Sequence, residues 1–432
     1  VVVFNGEIYN YKALHAELTA RGHTFATDSD TEVLLHGYEA WGGDLPRHLR
    51  GMFAFALWDR TAETLFCARA LLGIKPLYYY KKGDVLLFAS EIKAFLAHPA
   101  FEKRLNEARL PDWLSMEYLP DDETMFLGVY ELPPAHTLTW HDGRLTTRRY
   151  AAPRFRARRG RSLGAWAEKI GQTLAESADA HRIADVAVGC FLSGGVDSSL
   201  VTRETARSQP NVQCFSVGYA EGSYSELPAA RAAARALGVP LTETTVTAAE
   251  FFAANRAIQW YLDEPMPNPA EVPLYFLCKT ARQRVKVVLS GEGADEVFGG
   301  YLYFHKAPDA RAFHEETVRK ISKLHLYDCL RANKSLSAWG VEGRVPFLDK
   351  EFLDVAMRIN PAAKMAKDGH IEKWILRKAF GDMLPSEIVW RQKEQFSDGV
   401  GYNWIDTLKQ LTAEAVSDRE MEHAAERFPI NP

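Results

Sequence analysis

The sequence predicts an α/β and α+β fold in two domains: stacked antiparallel sheets flanked by helices, then a doubly wound parallel sheet with helices. Three observations support this prediction. The 432 residues exceed what a single hydrophobic core usually holds. Up to residue 150, short apolar segments separated by turns are mixed with two helical patterns. After residue 162, wholly apolar segments alternate with helices, which is typical of strands buried on both faces of a sheet.

Periodicity and turn residues place the elements along the chain. In the first part, helices closed by glycine are predicted at 11–21 and 31–41, and strands at 1–4, 52–58, 65–68, 76–80 and 85–89. In the second part, helices are predicted at 162–182, 227–237 and 249–260, and strands at 186–192, 212–217, 242–247 and 285–289.

Residues 151–161 are rich in proline and arginine and lack apolar periodicity. We predict a solvated linker here, between domains at 1–150 and 162–432. A nucleic-acid-binding patch is the alternative, but the stretch has no interleaved aromatic residues and no second basic face. The linker is therefore the favoured interpretation.

Composition and charge argue against several classes of protein. A formal net charge of -4 gives no electrostatic reason to bind nucleic acid or an anionic membrane. No apolar segment approaches the roughly 20 residues of a membrane span. The 5 cysteines are scattered singly without CxxC spacing, which predicts a reducing, cytoplasmic environment without disulfides. The chain opens on Val1 inside an apolar segment, so we expect its natural beginning to lie upstream.

The stretch FLSGGVDSSLV, at 191–201, is the strongest functional signal. An apolar strand leads into a Gly/Ser turn, and the hydroxyls are predicted to cap a helix that starts near Ser198. Amide N–H groups would converge there on an anion, for which phosphate is the natural candidate. The stretch lacks the GxxxxGK[ST] pattern of a Walker A loop. A plain turn between a core strand and a helix is the alternative.

A second polar stretch, SGEGADEVFGGY at 290–301, follows the predicted strand at 285–289. Its carboxylates would repel phosphates bound nearby unless a cation intervened. Asp197 and Asp295 are therefore the predicted Mg²⁺ ligands, since this hard cation prefers carboxylate and phosphate oxygens. An acidic helix start favoured by the helix dipole is the alternative, but it accounts for one carboxylate rather than three.

These two stretches resemble known families. SGGVDS is similar to the pyrophosphate-binding loop of N-type ATP pyrophosphatases, which have an adenine nucleotide α-hydrolase-like fold, and 290–301 resembles asparagine synthetases. The resemblance implies that Glu292 is needed to form an aspartyl-adenylate. It also implies ATP contacts from Leu192, Ser193, Gly194, Gly195, Asp197, Ser198, Val217, Ser290 and Gly291.

Three further segments of the second half extend the resemblance. The stretch at 391–399, RQKEQFSDG, implies that Lys393 neutralises charge at the ATP α-phosphate, with a surface lysine as the alternative. Residues 330–354 resemble the helical segments that cover the site, with Gly343 in place of a more usual Ala. Near the Asp-Glu-Pro stretch at 263–265, Asn268 and Ala270 replace the usual Asp and Ser, which leaves the aspartate contacts open.

The first part resembles class II glutamine amidotransferase domains, which have an Ntn-type fold. The matching segments are NGEIYN at 5–10, SDTE at 29–32, RGMFAFALWD and GIKPLYY. The resemblance implies that Asn5 and Gly6 stabilise an oxyanion, and that Glu7 and Asp30 hold the α-amino group of glutamine. A polar turn and a helix cap are the alternatives for these residues.

Some family features are not found in this sequence. The amino-terminal Cys nucleophile and the Arg that binds the glutamine carboxylate would precede Val1, and Ala70 stands where an Asp is usual. We therefore expect no glutaminase activity from the chain as written. We also expect a missing C-terminal tail after Pro432.

Taken together, the chain resembles the glutamine-hydrolysing asparagine synthetase B family over nearly its whole length. The resemblance implies a ligase that uses Mg²⁺ and ATP to adenylate aspartate, and then adds nitrogen from glutamine or, in this chain, from free ammonia. Its partners would be these small molecules, and a homodimer is left open. One alternative is a related amidotransferase or β-lactam synthetase-like enzyme that adenylates another carboxylate. Another is a non-catalytic remnant.

Overall fold

The computed structural model describes residues 1–153, 155–157, 161–220, 225–266, 268–366, 369–392, 409–410 and 412–427. Lys393 and the rest of its predicted loop, 393–399, lie outside the described residues, as do four residues of the predicted linker. Within the described part, no helix has both the length and the apolar character needed to cross a bilayer. All five cysteines are described, and they are buried and unpaired.

The first half contains two antiparallel sheets. Its strands are β1 (Val2–Ile8), β2 (Gly51–Asp59), β3 (Thr64–Arg69), β4 (Tyr78–Lys82), β5 (Val85–Ala89), β6 (Val129–Glu131), β7 (His136–His141) and β8 (Arg144–Arg149). One sheet has the order β1-β2-β3-β7-β8 and the other the order β5-β4-β6. Its helices are α1 (Tyr11–Ala20), α2 (Asp30–Trp41), α3 (Leu45–His48) and α4 (Leu110–Met116), with 3₁₀ turns at Gly42–Asp44, Ile92–Ala97 and Glu107–Arg109.

Strand β2 organises this half because it is buried on both faces. Phe53 and Phe55 pack against residues of α1 and α2, whereas Ala54 and Ala56 pack against Leu77 and other residues around the second sheet. Side chains alternate between the two faces of a strand, so one apolar run can serve two layers. The predicted antiparallel sheets flanked by helices are confirmed.

The second half contains a parallel sheet. Its strands are β9 (Val188–Phe191), β10 (Gln213–Tyr219), β11 (Leu241–Val246), β12 (Val287–Leu289) and β13 (Glu342–Arg344), and every pairing between them is parallel. The order is β11-β10-β9-β12-β13. The chain therefore builds outward from β9 on one side and then crosses to the other, which creates a topological switch point between β9 and β12. The predicted doubly wound sheet is confirmed.

Helices cover this sheet and extend beyond it. They are α5 (Leu163–His181), α6 (Val196–Ser208), α7 (Leu227–Leu237), α8 (Ala248–Leu262), α9 (Glu271–Ala281), α10 (Ala294–Phe298), α11 (Ala310–Lys323), α12 (Asp328–Ser337), α13 (Lys350–Ala356), α14 (Trp374–Ala379) and α15 (Ser386–Val389). Short helices follow at Asp418–Glu422 and Ala424–Arg427, and 3₁₀ turns lie at Leu302–Lys306, Leu324–Leu326, Pro346–Leu348 and Pro361–Ala363.

The start of α6 differs from the prediction. The helix begins at Val196 rather than near Ser198, and in the described structure no side chain caps it. The hydroxyls bond within the turn instead: Gly195 N donates to Ser193 Oγ at 3.3 Å, and the Oγ atoms of Ser193 and Ser198 lie 3.1 Å apart. The predicted serine cap was wrong because these hydroxyls hold the turn itself.

Asp263 joins the two halves of the molecule. Its carboxylate is buried and pairs with Lys334 Nζ at 2.5 Å and with Lys93 Nζ at 2.9 Å. The amide of Ile92 also donates to it, at 2.9 Å. The two lysines hold the pKa of Asp263 below its usual value although burial opposes this. This carboxylate of the predicted Asp-Glu-Pro stretch therefore contacts the first half of the chain.

We expect Asp263→Asn to lower the free energy of unfolding by about 3–5 kcal/mol, because it leaves the buried ammonium of Lys334 without its charge partner. Urea denaturation measures this loss. The matched control is Glu17→Gln, which breaks an exposed pair with Arg21 and should cost less than about 1 kcal/mol. Equal effects of the two substitutions would contradict a structural role for the buried pair.

Candidate active site

The ends of β9 and β12 meet at the switch point, and the loops after them line a cavity of about 770 Å³. Gly291 lies so close to the other loop that a Cβ would come within 2.9 Å of Asp197 Cβ and of Ser198 N. This close approach brings the two predicted motifs together at one site. Eight of the nine predicted ATP contacts line the cavity: Leu192, Ser193, Gly195, Asp197, Ser198, Val217, Ser290 and Gly291.

Gly194 is the predicted ATP contact that does not line this cavity. Its φ of +78° is disfavoured for residues with a Cβ, and a Cβ there would overlap the backbone of Ala229 on α7. Gly194 therefore allows the turn to pack against α7, while its neighbours face the cavity.

The cavity also receives the amino terminus of α6. The amides of Val196, Asp197 and Ser198 occupy the first three positions of that helix, where N–H groups have no intrahelical acceptor. The positive end of the helix dipole adds to their attraction for an anion. This end of the cavity suits a phosphate or carboxylate group.

A buried lysine that the sequence prediction missed lies between the two predicted magnesium ligands. Lys373 is fully buried; its Nζ contacts an oxygen of Asp197 and lies 2.6 Å from Asp295 Oδ1. Gly300 packs against this pair so closely that a Cβ would overlap both Asp295 and Lys373. No local sequence pattern singles out this lysine, which directly precedes the short helix α14.

Two glutamates, Glu292 and Glu296, add titratable carboxyl groups to the cavity. Burial raises the pKa of Glu292 to about 7, against the opposing effect of Arg331 Nη2 at 3.6 Å. Burial together with nearby Asp328 and Asp295 raises the pKa of Glu296 to about 8, although Tyr301 donates a hydrogen bond to it. Near neutral pH, the cavity can therefore gain or lose protons at low free-energy cost.

The predicted glutamine-binding residues lie together at the end of β1 and the start of α2. Ile8 N donates to Asp30 Oδ2 at 3.1 Å, and Asn5 Nδ2 donates to Ser90 Oγ at 3.1 Å. Gly6 packs against the backbone of β2 without room for a Cβ. Burial raises the pKa of Glu7 to about 7 against the opposing effect of Arg344, and the nearby Asp30 carboxylate contributes to this increase.

Glu7 is also in contact with the second half, since its Oε2 lies 2.7 Å from Arg344 Nη2. The backbone oxygen of Arg344 accepts a hydrogen bond from Ser290 N at 2.9 Å. One arginine thus contacts both the predicted glutamine-binding group and the loop after β12. Arg344 could not be predicted from the sequence, because its two partners are far from it in the chain.

Comparison with known proteins places the chain in a family. A glutamine amidotransferase domain model matches residues 1–151, and an asparagine synthase model matches residues 169–312 and 306–428. Asparagine synthetase B [glutamine-hydrolyzing] of Escherichia coli (strain K12) is 42% identical over 449 residues, which cover 100% of this chain and 76% of the relative. The chain belongs to the asparagine synthetase (glutamine-hydrolysing) family.

Plant members of the family have similar sequence identity to this chain. The asparagine synthetase [glutamine-hydrolyzing] of Zea mays is 41% identical over 451 residues, covering 100% of this chain and 71% of the relative. Asparagine synthetase [glutamine-hydrolyzing] 2 of Oryza sativa subsp. japonica is 42% identical over 451 residues, with the same coverage. The family resemblance predicted from the motifs is confirmed.

We expect Glu292→Gln to change how stability depends on pH. A carboxyl whose pKa is raised on folding binds its proton more tightly in the folded state, so its contribution to stability is lost as pH rises from about 4.5 to about 7. The glutamine variant lacks this loss, and its stability relative to the parent should rise by about 2–3 kcal/mol between pH 4.5 and pH 8.

Urea denaturation at several pH values measures this difference. Glu168→Gln, on the exposed face of α5, is the matched control and should leave the difference near zero. A Glu292→Gln curve parallel to that of the parent would show that the pKa of Glu292 is not raised on folding.

Proposed function

We propose that this chain catalyses ATP-dependent synthesis of asparagine from aspartate through a β-aspartyl-AMP intermediate. The observation that carries the proposal is the cluster of Lys373, Asp197 and Asp295 beside a helix amino terminus in one cavity. Such a cluster combines anion-binding amides with groups suited to a metal–nucleotide complex. The names of the relatives, asparagine synthetases, support the same reaction.

The cavity can serve the adenylation step. The amides at the start of α6 would hold the pyrophosphate part of ATP, and Ser290 and Gly291 would approach the nucleotide from the other loop. The side-chain carboxylate of aspartate would attack the α-phosphorus, and the bond to pyrophosphate would break. The fixed ammonium of Lys373 lies where it can neutralise charge that builds up as pyrophosphate leaves.

The residues present also fit Mg²⁺. Asp197 Oδ1 is buried and has no hydrogen-bond partner among the described residues, so it offers an unsatisfied oxygen to a cation. We propose Asp197 and Asp295 as the residues that hold the ion, since carboxylate oxygens suit this hard cation. When bound, Mg²⁺ would reduce the negative charge of the phosphates.

Glu292 and Arg331 suit the acceptor side of the cavity. Their opposite charges lie 3.6 Å apart within it. We assign Glu292 to the formation of the adenylate. Ammonia would then attack the acyl carbon, and AMP would leave to give asparagine. Arg391 and Gln392 line the same cavity, which supports the proposal that the adjacent Lys393, outside the described residues, approaches the α-phosphate.

The first half would supply nitrogen in the family reaction. Asn5 and Gly6 are proposed to stabilise the oxyanion formed during glutamine hydrolysis, and Glu7 and Asp30 to bind the amino group of glutamine. The boundaries of this glutaminase unit at residue 150 and of the synthetase unit at residue 162 are part of the proposal. β8 ends at Arg149 and α5 begins at Leu163, which supports them.

The first test is pyrophosphate release from Mg-ATP with ammonium as the nitrogen source, with asparagine measured directly. We expect release that depends on aspartate and is accompanied by asparagine. Release that does not depend on aspartate would indicate that another carboxylate is the acceptor. No release from the folded chain would contradict the proposed activity.

We expect Lys373→Met to lower the rate of aspartate-dependent pyrophosphate release at least about 100-fold, because charge on the leaving group loses its fixed cation. Lys378→Met, at an exposed position of the following helix α14, is the matched control and should keep the parental rate. Equal rates of pyrophosphate release in the two variants would show that Lys373 does not take part in the reaction. Circular dichroism of both variants is the control for correct folding.

A further inference from the structure

A cluster of two histidines and a glutamate lies outside the cavity, in the first half. We propose that His23, His36 and Glu39 form a binding site for Zn²⁺. His23 follows the end of α1, and the other two residues lie one turn apart on α2. Elsewhere in the described ranges, no three histidine, cysteine or carboxylate ligand atoms lie within 4.8 Å of one another.

The three ligand atoms form a nearly equilateral triangle. His23 Nδ1 and His36 Nδ1 are 3.3 Å apart, and Glu39 Oε2 lies 3.3 Å from the first and 3.2 Å from the second. In a tetrahedral zinc site with bonds of about 2.0–2.1 Å, neighbouring ligand atoms are about 3.3–3.4 Å apart. The triangle therefore matches one face of a zinc tetrahedron, and water would complete the fourth position.

Hydrogen bonds cannot occupy all three edges of this triangle, because the two Nδ1 atoms carry at most two protons between them. If both Nδ1 atoms carry protons, both can donate to Glu39, and the 3.3 Å contact between the two nitrogens then joins two donors with no acceptor between them. If one carries a proton, that proton cannot point along both edges that meet at its nitrogen. A cation accepts a lone pair from all three atoms, so it removes the conflict.

Neighbouring side chains fix the orientation of the His36 ring, as is required of a histidine that binds a metal. Its other ring nitrogen, Nε2, lies 3.5 Å from Glu32 Oε1. Glu32 is itself fixed by the amides of Ala26 at 2.8 Å and Thr27 at 2.7 Å. A carboxylate beside the second nitrogen of a ligating histidine orients the ring and sets its tautomer. The ring of Phe25 packs edge-on against His36, with centroids 4.5 Å apart.

The donor set selects the class of metal. Two imidazole nitrogens and one carboxylate oxygen suit Zn²⁺ and its neighbours in the first transition row, whereas Mg²⁺ prefers oxygen ligands. This site would therefore bind a different metal from the one proposed at Asp197. It would link the segment after α1 to α2, the helix whose first residue is Asp30.

The experiment titrates the untagged, metal-free chain with ZnCl₂ and, separately, with CoCl₂ while the visible spectrum is recorded. We expect one saturable Zn²⁺ site per chain and the strong visible bands of tetrahedral Co²⁺. His23→Gln, His36→Gln and Glu39→Gln should each weaken binding by at least about tenfold and reduce these bands.

Two control variants separate this site from its surroundings. His15→Gln removes a histidine that stacks on Phe25 at 3.9 Å but is not part of the triangle, and Asp197→Asn removes the proposed Mg²⁺ ligand. Both should bind Zn²⁺ as the parent does. Because Glu39 is 63% exposed, its substitution tests binding without risk to folding.

The outcomes are distinct from those of the activity assay. Zn²⁺ binding that survives the histidine and glutamate substitutions, or that is lost in Asp197→Asn, would overturn the proposal. So would the lack of any saturable Zn²⁺ site in the parent chain. Each of these results can be obtained whether or not the chain makes asparagine.

Discussion

The buried guanidinium of Arg344 connects the two halves of this molecule. Its Nη1 donates to the carbonyl oxygens of His181 and Ile183, its Nε to Glu342 and its Nη2 to Glu7. It therefore satisfies carbonyls at the end of α5, a carboxylate on its own strand and a carboxylate of the first half. A buried charge with this many partners tolerates little movement, because any lost partner leaves an unsatisfied buried group.

The cavity brings several charged side chains into contact, and their positions must be held by the surrounding structure. Lys373 is fully buried and contacts both Asp197 and Asp295, and burial raises the pKa of Glu292, which lines the same cavity. Burying charged groups in this way costs folding free energy. Because the charged side chains are already in place when a charged substrate enters, they need little reorganisation during the reaction.

Periodicity predicted the regular elements well, because apolar runs and glycine turns act locally. The strand at 85–89 and the helix at 227–237 have the predicted bounds. Predictions from neighbouring residues failed where a side chain could bond to more than one partner. The hydroxyl of Ser198 bonds inside the turn rather than capping α6, and that helix starts at Val196, two residues earlier than expected. Asp263 matched a family segment, but its lysine partners could not be inferred from the sequence.

The sequence alone predicted the architecture, the family resemblance and the two loops that meet in the cavity. It could do so because buried strands, Gly/Ser turns and carboxylate motifs are each written in consecutive residues. The tertiary structure alone decided which distant groups touch: Lys373 between two aspartates, Arg344 against Glu7, and His23 against His36. These contacts depend on how α2, α14 and β13 pack against their neighbours, and packing of that kind leaves no local periodicity in the chain.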